Sequence, residues 1–333
     1  MDSGVESSPD ALVSLIQTQL LDKTFPKPLT WRGEAMSRLL LYAQIIAEGS
    51  PTVITVDCPV VVITNIQGDL KGLREWLKNV DGLDVYLDPH RQTDPEKGLL
   101  FLGNIVGQGN KSIDTLLLVL CLYVRFPSRV YLLQGMHEDE QMGKIYGFFQ
   151  LCRSELPNYI EYYRGVYKLF SYLPLVAIVG KISCTHAGII PEGIPRQTDR
   201  EQIQSMLAGQ LNLSLTGWDT NQCGISYDFG LPPLISWLKI LGCIGFVNTG
   251  GDIKTGFATD LVLQPEHSAI KLPHFYCSVR SSTIYLDKDA GGIAVLEINF
   301  DQKTNIATLK LIHSTFGSAN KPTIKEFKVI TAN

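Results

Sequence analysis

This chain of 333 residues lacks the features that indicate a membrane, secreted or nucleic-acid-binding protein. Its longest apolar run, LLLVLCLYV from Leu116 to Val124, is far shorter than the about 20 residues of a membrane-spanning helix. The first residues, MDSGVESSPD, are acidic and polar, unlike a secretory signal peptide. Lysine and arginine are scattered and the net charge is −4, which predicts no basic surface. We therefore expect neither a nucleic-acid nor a membrane partner.

Paired cysteine motifs are also missing. The chain has seven cysteines, an odd number, and no two of them form a CxxC pair. This usage is typical of a reducing compartment, in which thiols pack as small apolar groups. We expect a cytoplasmic or nuclear protein.

Apolar strands and amphipathic helices alternate along the first half of the chain. Leu12, Ile16 and Leu20 have helical spacing after a Ser/Pro/Asp start, and a second helix is predicted from Glu34 to Glu48. The second half is richer in strands and ends in the pair GGIAVLEINF and TNIATLKLI. This order predicts an α/β (α+β) protein with a central β-sandwich of mixed sheets flanked by helices. We expect a flexible N-terminus over 1–8, a single domain over 9–314 and a polar tail over 315–333.

Five predicted strands end in a polar residue or a histidine. These residues are Asn65, Asn104, His137, His186 and Asn248. Ligand sites in sheets of this kind lie where the carboxyl ends of several strands meet. The pattern therefore predicts a functional site, although none of the five carries a negative charge.

The loops after these strands resemble those of the metal-dependent serine/threonine phosphoprotein phosphatases, type one and its relatives. LLFLGNIVGQGN, with the helix and QGMHE that follow, parallels the family's GD-x-VDRG and RGNHE motifs and the helix between them. ITNIQGDL stands where the family has GDIHGQ, CTHAGIIP where it has HGGLSP, and CGISYDFG where it has RGVSFTFG. The resemblance extends over about residues 10–312 and implies the calcineurin-like metallophosphatase fold.

The same resemblance implies that the metal site is degenerate. The family holds two metals and a bridging water with two Asp, one Asn and three His, and only His186 keeps its ligand type here. The changed positions are Asn65, Gln67, Asn104, Met136 and Asn248. Amide oxygens bring no charge and a thioether suits soft metals, so we expect no metal cofactor. Without metals, water keeps a pKa near 15.7 instead of about 7, and no hydroxide forms at neutral pH.

The phosphate-binding and acid groups are altered too. Gln108, Gln134 and Cys223 stand where the family has arginines, which match phosphate oxygens two at a time. His137 matches the leaving-group acid, but its orienting Asp corresponds to Gly107, so nothing in the sequence determines its tautomer. We expect the amides that replace the ligands to hydrogen-bond one another.

The resemblance therefore implies a catalytically inactive pseudophosphatase that serves as a protein-interaction or scaffold subunit. The family docks short regulatory peptides in a groove at the edge of its sandwich, and Ile182, Cys243 and Phe257 correspond to its lining. Regulators of active paralogues are the expected partners.

Two alternatives remain open. One is a residual phosphatase with an altered metal site, in which His137 and His186 would be a remnant metal pair. The other is a phosphopeptide- or anion-binding module, to which Arg280 could contribute a positive charge. Cys223 as a nucleophile lacks the glycine-rich loop and the arginine that such chemistry needs.

Overall fold

The computed structural model describes residues 8–21, 34–221, 224, 226–249, 257–259, 269–270, 275–279, 281, 293–314 and 322–330. Cys223 and Arg280, both singled out from the sequence, lie outside the described residues.

The described residues form nine α-helices and sixteen strands. The helices are α1 (Pro9–Leu21), α2 (Glu34–Ala47), α3 (Leu70–Asn79), α4 (Ser112–Arg125), α5 (Glu140–Ile145), α6 (Phe148–Glu155), α7 (Tyr159–Phe170), α8 (Arg200–Ala208) and α9 (Leu231–Leu241). The strands of the first half are β1 (Val53–Val56), β2 (Val60–Ile63), β3 (Gly98–Phe101), β4 (Val130–Leu132), β5 (Val176–Val179), β6 (Ile182–Thr185), β7 (Gln210–Leu211) and β8 (Trp218–Thr220). The remaining strands are β9 (Tyr227–Phe229), β10 (Gly245–Asn248), β11 (Phe257–Thr259), β12 (Ala269–Ile270), β13 (Phe275–Val279), β14 (Ile293–Asp301), β15 (Ile306–Ser314) and β16 (Thr323–Ile330).

Two mixed sheets pack face to face, as the sequence predicted. One has the strand order β1-β5-β6-β10-β13-β11 and the other β12-β16-β15-β14-β2-β3-β4, with a small third sheet, β7-β9-β8. Side chains from both large sheets, among them Val62, Leu100, Val179 and Val247, form one buried cluster between them. Such interdigitation of two inner faces is the core of a β-sandwich.

Helices cover the outer face of each large sheet. Helices α1 to α4, α6 and α7 share a core with β2 and β3, and α8 and α9 share another with β5 and β10. Helix α4 is apolar on all sides from Leu116 to Val124, and every residue from Ser112 to Tyr123 is buried. A helix of this composition is stable only inside a layer, which explains its position between the sheet and the other helices.

The C-terminal residues correct one expectation. Thr323–Ile330, which the sequence placed in a polar tail, form strand β16 and pair antiparallel with β15, from His313↔Thr323 to Ile306↔Ile330. The wrong prediction has a physical reason: β16 intersperses Lys325, Glu326 and Lys328 among its apolar residues, so it has no continuous apolar run. No helix in the described ranges is long and apolar enough to cross a membrane.

The cysteines of the described residues are unpaired and mostly buried, as expected for thiols packed as apolar groups. Burial raises the pKa of the Cys184 and Cys243 thiols, which makes both of them poor nucleophiles.

Two glycines with the same backbone conformation provide a test of the packing between the β3 and β4 loops. Gly103 has φ of 90° and Gly49 has φ of 83°, both in the left-handed region. A Cβ on Gly103 would collide with the backbone of Gly135, whereas a Cβ on Gly49 would meet nothing within 4 Å. We expect Gly49→Ala to lower the free energy of unfolding by about 1 kcal/mol and Gly103→Ala by about 3 kcal/mol or more.

Urea denaturation of both variants measures this difference. Equal losses of stability would contradict the close approach of the two loops.

Candidate functional site

The polar residues predicted from the sequence meet at one edge of the sandwich. Strands β2, β3 and β4 run parallel in one sheet, and β6 and β10 run parallel in the other. The loops that follow them therefore lie side by side, and direct hydrogen bonds join them. Asn65 N–H donates to Gly103 O at 3.2 Å, and Thr249 N–H donates to His186 O at 2.7 Å.

The first two loops contain strained backbone, and hydrogen bonds between the loops hold it. Asn65, Gln67 and Asn104 have φ of 49°, 52° and 52°, in the left-handed region that residues other than glycine rarely adopt. Gln67 N–H donates to Asn104 O at 2.7 Å, and Gly109 N–H donates to Gln67 O at 2.8 Å, which ties the two loops together. Strain of this kind persists only where the surrounding structure enforces it, and it is concentrated at functional sites.

The Glu138 carboxylate joins the second and third loops. It is buried and accepts hydrogen bonds from the N–H groups of Asn104 at 2.6 Å, Ile105 at 2.8 Å and Gly135 at 2.9 Å. Burial raises the pKa of Glu138 to about 7, and the backbone donors oppose that shift because they favour the carboxylate. Both carboxylate oxygens of Glu138 thus bind backbone N–H groups and are not available to a ligand.

His137, which matches the family's acid, is held without a carboxylate partner. Its Nδ1 lies 2.9 Å from Val106 O, and since a carbonyl only accepts, Nδ1 is the protonated nitrogen. The expectation that nothing determines its tautomer is therefore wrong. A Cβ on Gly107 would lie 2.7 Å from Nδ1, so the ring occupies the space that a side chain there would need.

Two tyrosines that the sequence did not single out complete the surroundings of His137. Tyr146 stacks on its ring, with centroids 4.2 Å apart, and the Tyr167 hydroxyl donates to His137 O at 3.0 Å. Nothing in their local sequence distinguishes these tyrosines from the others of α5 to α7. Burial lowers the pKa of His137 to about 4, so its imidazole is neutral at physiological pH and cannot act as a general acid there.

His186, the surviving ligand-type residue, has the same arrangement. Its Nδ1 donates to Leu102 O at 2.6 Å, and burial, followed by the nearby His137, lowers its pKa to about 4. Both imidazoles are therefore neutral, and each leaves its Nε2 lone pair without a partner among the described residues.

The remaining ligand positions divide into two kinds. Asn104 and Asn248 use their side-chain oxygens within the protein: Asn104 Oδ1 accepts from His137 N–H at 2.8 Å, and Asn248 Oδ1 accepts from the Ser278 hydroxyl. Asn65 Oδ1 and Gln67 Oε1 are buried, and no described residue donates to either of them. The expectation that these amides hydrogen-bond one another is therefore wrong for Asn65 and Gln67.

The other predicted residues lie at the margin of the site. Gln108 is exposed, Gln134 is buried and Met136 is half-buried against the cluster of α8 and α9. Cys223 lies outside the described residues. The loops thus bring together Asn65, Gln67, Asn104, Gly107, His137, His186 and Asn248, whereas Gln108 faces solvent.

The donors present do not fit a pair of divalent metals. Among the described residues, no group of three or more His, Cys, Asp and Glu side chains is placed to hold a metal ion. The oxygens of Asn104 and Asn248 already accept hydrogen bonds, and the Glu138 carboxylate binds backbone N–H groups. What is left is neutral: two amide oxygens and the Nε2 atoms of two imidazoles. Hard dications require anionic oxygen ligands, and this set has none.

The predicted peptide groove is largely closed at its three sequence-derived positions. Ile182 is fully buried between the sheets and Cys243 is buried beneath α9. Phe257 is half-buried on β11, the edge strand of its sheet. Of the three, Phe257 is the residue that a docked peptide could contact.

No family model matches the sequence. Among solved structures, the chain is similar to a protein serine/threonine phosphatase from Saccharomyces cerevisiae with similarity to human phosphatase PP5. That match has 18% identity, covers 87% of this chain and 91% of the other, and has a TM-score of 0.64. A cold-active protein-tyrosine phosphatase from a psychrophilic Shewanella species is 13% identical, with 84% of each chain covered and a TM-score of 0.49. The first match confirms the fold: the chain has the metallophosphatase fold of serine/threonine phosphatases.

The Glu138 carboxylate allows a matched test of the loop architecture. In Glu138→Gln an amide NH₂ would face at least one of the three backbone N–H donors, which leaves buried donors without an acceptor. We expect a loss of about 3 kcal/mol in the free energy of unfolding. Glu140→Gln, which removes an exposed pair with Lys144 at 3.1 Å, should cost less than about 0.5 kcal/mol.

Chemical denaturation of the two variants at pH 8 makes the comparison. A Glu138→Gln variant as stable as Glu140→Gln would contradict the role of this carboxylate in joining the loops.

The lowered histidine pKa values predict how stability depends on pH. Below pH 6.5 the unfolded chain binds protons at His186, but the folded chain does not until about pH 4. The free energy of unfolding therefore falls as the pH drops, by about 2 kcal/mol between pH 7 and pH 5 for one such histidine. The raised pKa of Glu138 acts in the opposite direction between pH 7 and 4.5, so a variant is needed to isolate the effect.

In His186→Gln this contribution is absent, and we expect its stability to respond to pH less steeply than the wild type by that amount. Urea titrations at both pH values measure the difference. Identical pH responses would show that His186 titrates normally in the folded protein.

Proposed function

We propose that this metallophosphatase-fold chain is a pseudophosphatase: it does not hydrolyse phosphoesters and acts as a protein-interaction or scaffold subunit. The proposal depends on one observation, which is the neutral character of the described residues that line the site. Among the described residues that line it, the lone pairs left to coordinate a metal belong to Asn65 Oδ1, Gln67 Oε1 and two neutral imidazoles, and none of these groups carries a negative charge.

Electrostatics explain why such a site would not hold two metals. Two dications about 3.5 Å apart repel each other by on the order of 20 kcal/mol at an effective dielectric constant of 20. Carboxylates must offset that repulsion together with the hydration that the ions lose. Neutral amides at Asn65 and Asn104 provide no such compensation, and the Asn104 oxygen already accepts a hydrogen bond from His137 N–H.

Three further requirements of hydrolysis are unmet. Without a metal, a water molecule at the site is not deprotonated at neutral pH. A neutral His137, held through Nδ1 by Val106 O, carries no proton on Nε2 to give to a leaving group. Exposed Gln108 and buried Gln134 provide no guanidinium to grip a phosphate.

The surface supports a role in protein binding. Leu41 and Ile45 lie one turn apart on α2, with 54% and 60% of their surface exposed. Apolar side chains on one face of a helix are a common contact for a partner protein. Regulators that recognise active phosphatases of this fold are the proposed partners, and the cytoplasm or the nucleus is the proposed location.

Metal content and activity together test the proposal. We expect the purified protein, incubated with Mn²⁺ and desalted, to retain well under one equivalent of metal and to leave an aryl phosphate unhydrolysed above background. The matched control restores the five ligand types with Asn65→Asp, Gln67→His, Asn104→Asp, Met136→Asn and Asn248→His. That variant should retain more metal than the wild type, because its site regains two carboxylates and two imidazoles.

About two equivalents of metal in the wild type, with turnover abolished by His186→Ala, would overturn the proposal in favour of a residual phosphatase. Affinity capture that recovers neither phosphatase regulators nor a stable assembly would overturn the scaffold role.

A further inference from the structure

A cavity outside the degenerate site lies between helix α8 and the hairpin of β8 and β9. Its volume is about 220 Å³, several times the about 30 Å³ that one water molecule occupies but below the roughly 300–1,000 Å³ of sites for drug-sized ligands. A space of this size accommodates the head group of one side chain. The described residues of its wall include Glu192, Glu201, Gln202, Ser205, Thr220 and Tyr227, and none of them is a predicted site residue.

Two glutamates give the cavity its charge. Glu192 lies in the loop after β6 and Glu201 in the first turn of α8, and both are exposed. In the described part of the chain, neither carboxylate has a salt bridge or a hydrogen-bond partner. Arg196 and Arg200 are exposed and do not line the cavity. Residues 187–230 carry five acidic and two basic side chains, so the surface around the cavity attracts a cation.

A buried hydroxyl in the wall has no partner. Ser205 is 8% exposed, and its Oγ has no hydrogen-bond partner among the described residues, although its carbonyl oxygen accepts from the Ser226 hydroxyl. A buried polar group without a partner is unfavourable, so a polar ligand in the cavity that reaches this hydroxyl is favoured. A hydroxyl both donates and accepts, whereas ionised carboxylates only accept, so the two glutamates determine that the ligand is a donor.

Aromatic rings lie beside the carboxylates. In the register of β8 and β9, Thr220 is opposite Tyr227, and both line the cavity. Trp218 lies two residues before Thr220, so its side chain is on the same face of the sheet. The Trp218 and Tyr227 ring centroids are 6.1 Å apart, and Trp218 is 38% exposed. Because aromatic faces attract cations, and tryptophan most strongly, the rings favour the same ligand as the glutamates.

We propose that this cavity receives the guanidinium of an arginine side chain on a partner protein, with Glu192 and Glu201 as its acceptors and Trp218 as its stacking surface. The inference rests on the proposed interaction role, to which it adds the chemistry of the partner. Arginine fits better than lysine, because a planar guanidinium forms paired hydrogen bonds with carboxylates and stacks on aromatic rings. A side chain enters a cavity of this size while its backbone stays on the surface, where these three residues are exposed.

The indole N–H signal of Trp218 reports binding in nitrogen–proton NMR spectra. Its loss in Trp218→Phe assigns it, and the buried Trp76 and Trp237 serve as internal references. Chelator-treated protein is titrated with a short peptide carrying one arginine, with the same peptide carrying citrulline, and with methylguanidinium. We expect a saturable shift with the arginine peptide, with a Kd of about 1 mM or lower. Citrulline keeps the shape and N–H donors but has no charge, so its peptide should leave the signal unchanged.

A matched pair of variants assigns the binding to the cavity. Glu201 and Glu161 are both exposed and both lie in the first turn of a helix, so replacing either by glutamine removes one charge from an equivalent position. Glu201→Gln should weaken arginine-peptide binding about fivefold, as expected for one exposed ion pair, and Glu192→Gln/Glu201→Gln about tenfold or more. Glu161→Gln should bind like the wild type. Circular dichroism confirms that the variants are folded.

The outcomes separate this inference from the proposed function. Equal shifts with the arginine and citrulline peptides, no shift with either, or an equal effect of Glu201→Gln and Glu161→Gln would overturn the proposed cavity. Tighter binding of methylguanidinium than of the peptide would overturn a protein-borne occupant. Absence of arginine binding in a metal-free, inactive protein would overturn this inference alone, whereas two retained metals with turnover would overturn the pseudophosphatase assignment.

Discussion

The structure of the site depends on one buried carboxylate. Glu138 accepts hydrogen bonds from the N–H groups of Asn104, Ile105 and Gly135, and so joins the loops that follow β3 and β4. Hydrogen bonds to those loops in turn hold Gln67 in a left-handed conformation that glutamine rarely adopts. The same interaction would serve an active phosphatase, because it requires only backbone donors. Loops held together in this way require no bound metal to keep their shape.

The backbone geometry of these loops determines where the Asn65 and Gln67 side chains are placed. Amides held in strained turns cannot relax into pairs with each other, and Asn65 and Gln67 are left with acceptor oxygens that no described group satisfies. Both histidines donate through Nδ1 to a backbone carbonyl, which holds each ring in one orientation. The described residues that line the site thus provide neutral amides and imidazoles and no free carboxylate, which underlies the proposed inactivity.

Most of the fold was predictable, because the apolar strands and the largely apolar α4 allow few other arrangements. Strand β16 was not, since three charged residues are interspersed among its apolar ones and the segment resembles a tail until β15 pairs with it. Within the site, the neutrality of the lining could be read from Asn65, Gln67 and Asn104. The tautomer of His137 could not, because it is determined by Val106 O, a backbone atom that carries no sequence signal. Likewise, Ile182 has the residue type of a groove lining, yet the packing of the sheets buries it.

By itself the sequence determined which charges are available: five strand ends with no carboxylate, and glutamines where the family has arginines. The amino-acid types alone determine these charges, and folding cannot add a charged group that the sequence lacks. Only the tertiary structure decided how the remaining polar atoms are used. Hydrogen bonds from residues of other loops or strands occupy the oxygens of Asn104 and Asn248, whereas no described residue donates to those of Asn65 and Gln67, because the geometry of neighbouring backbones determines which acceptors meet a donor.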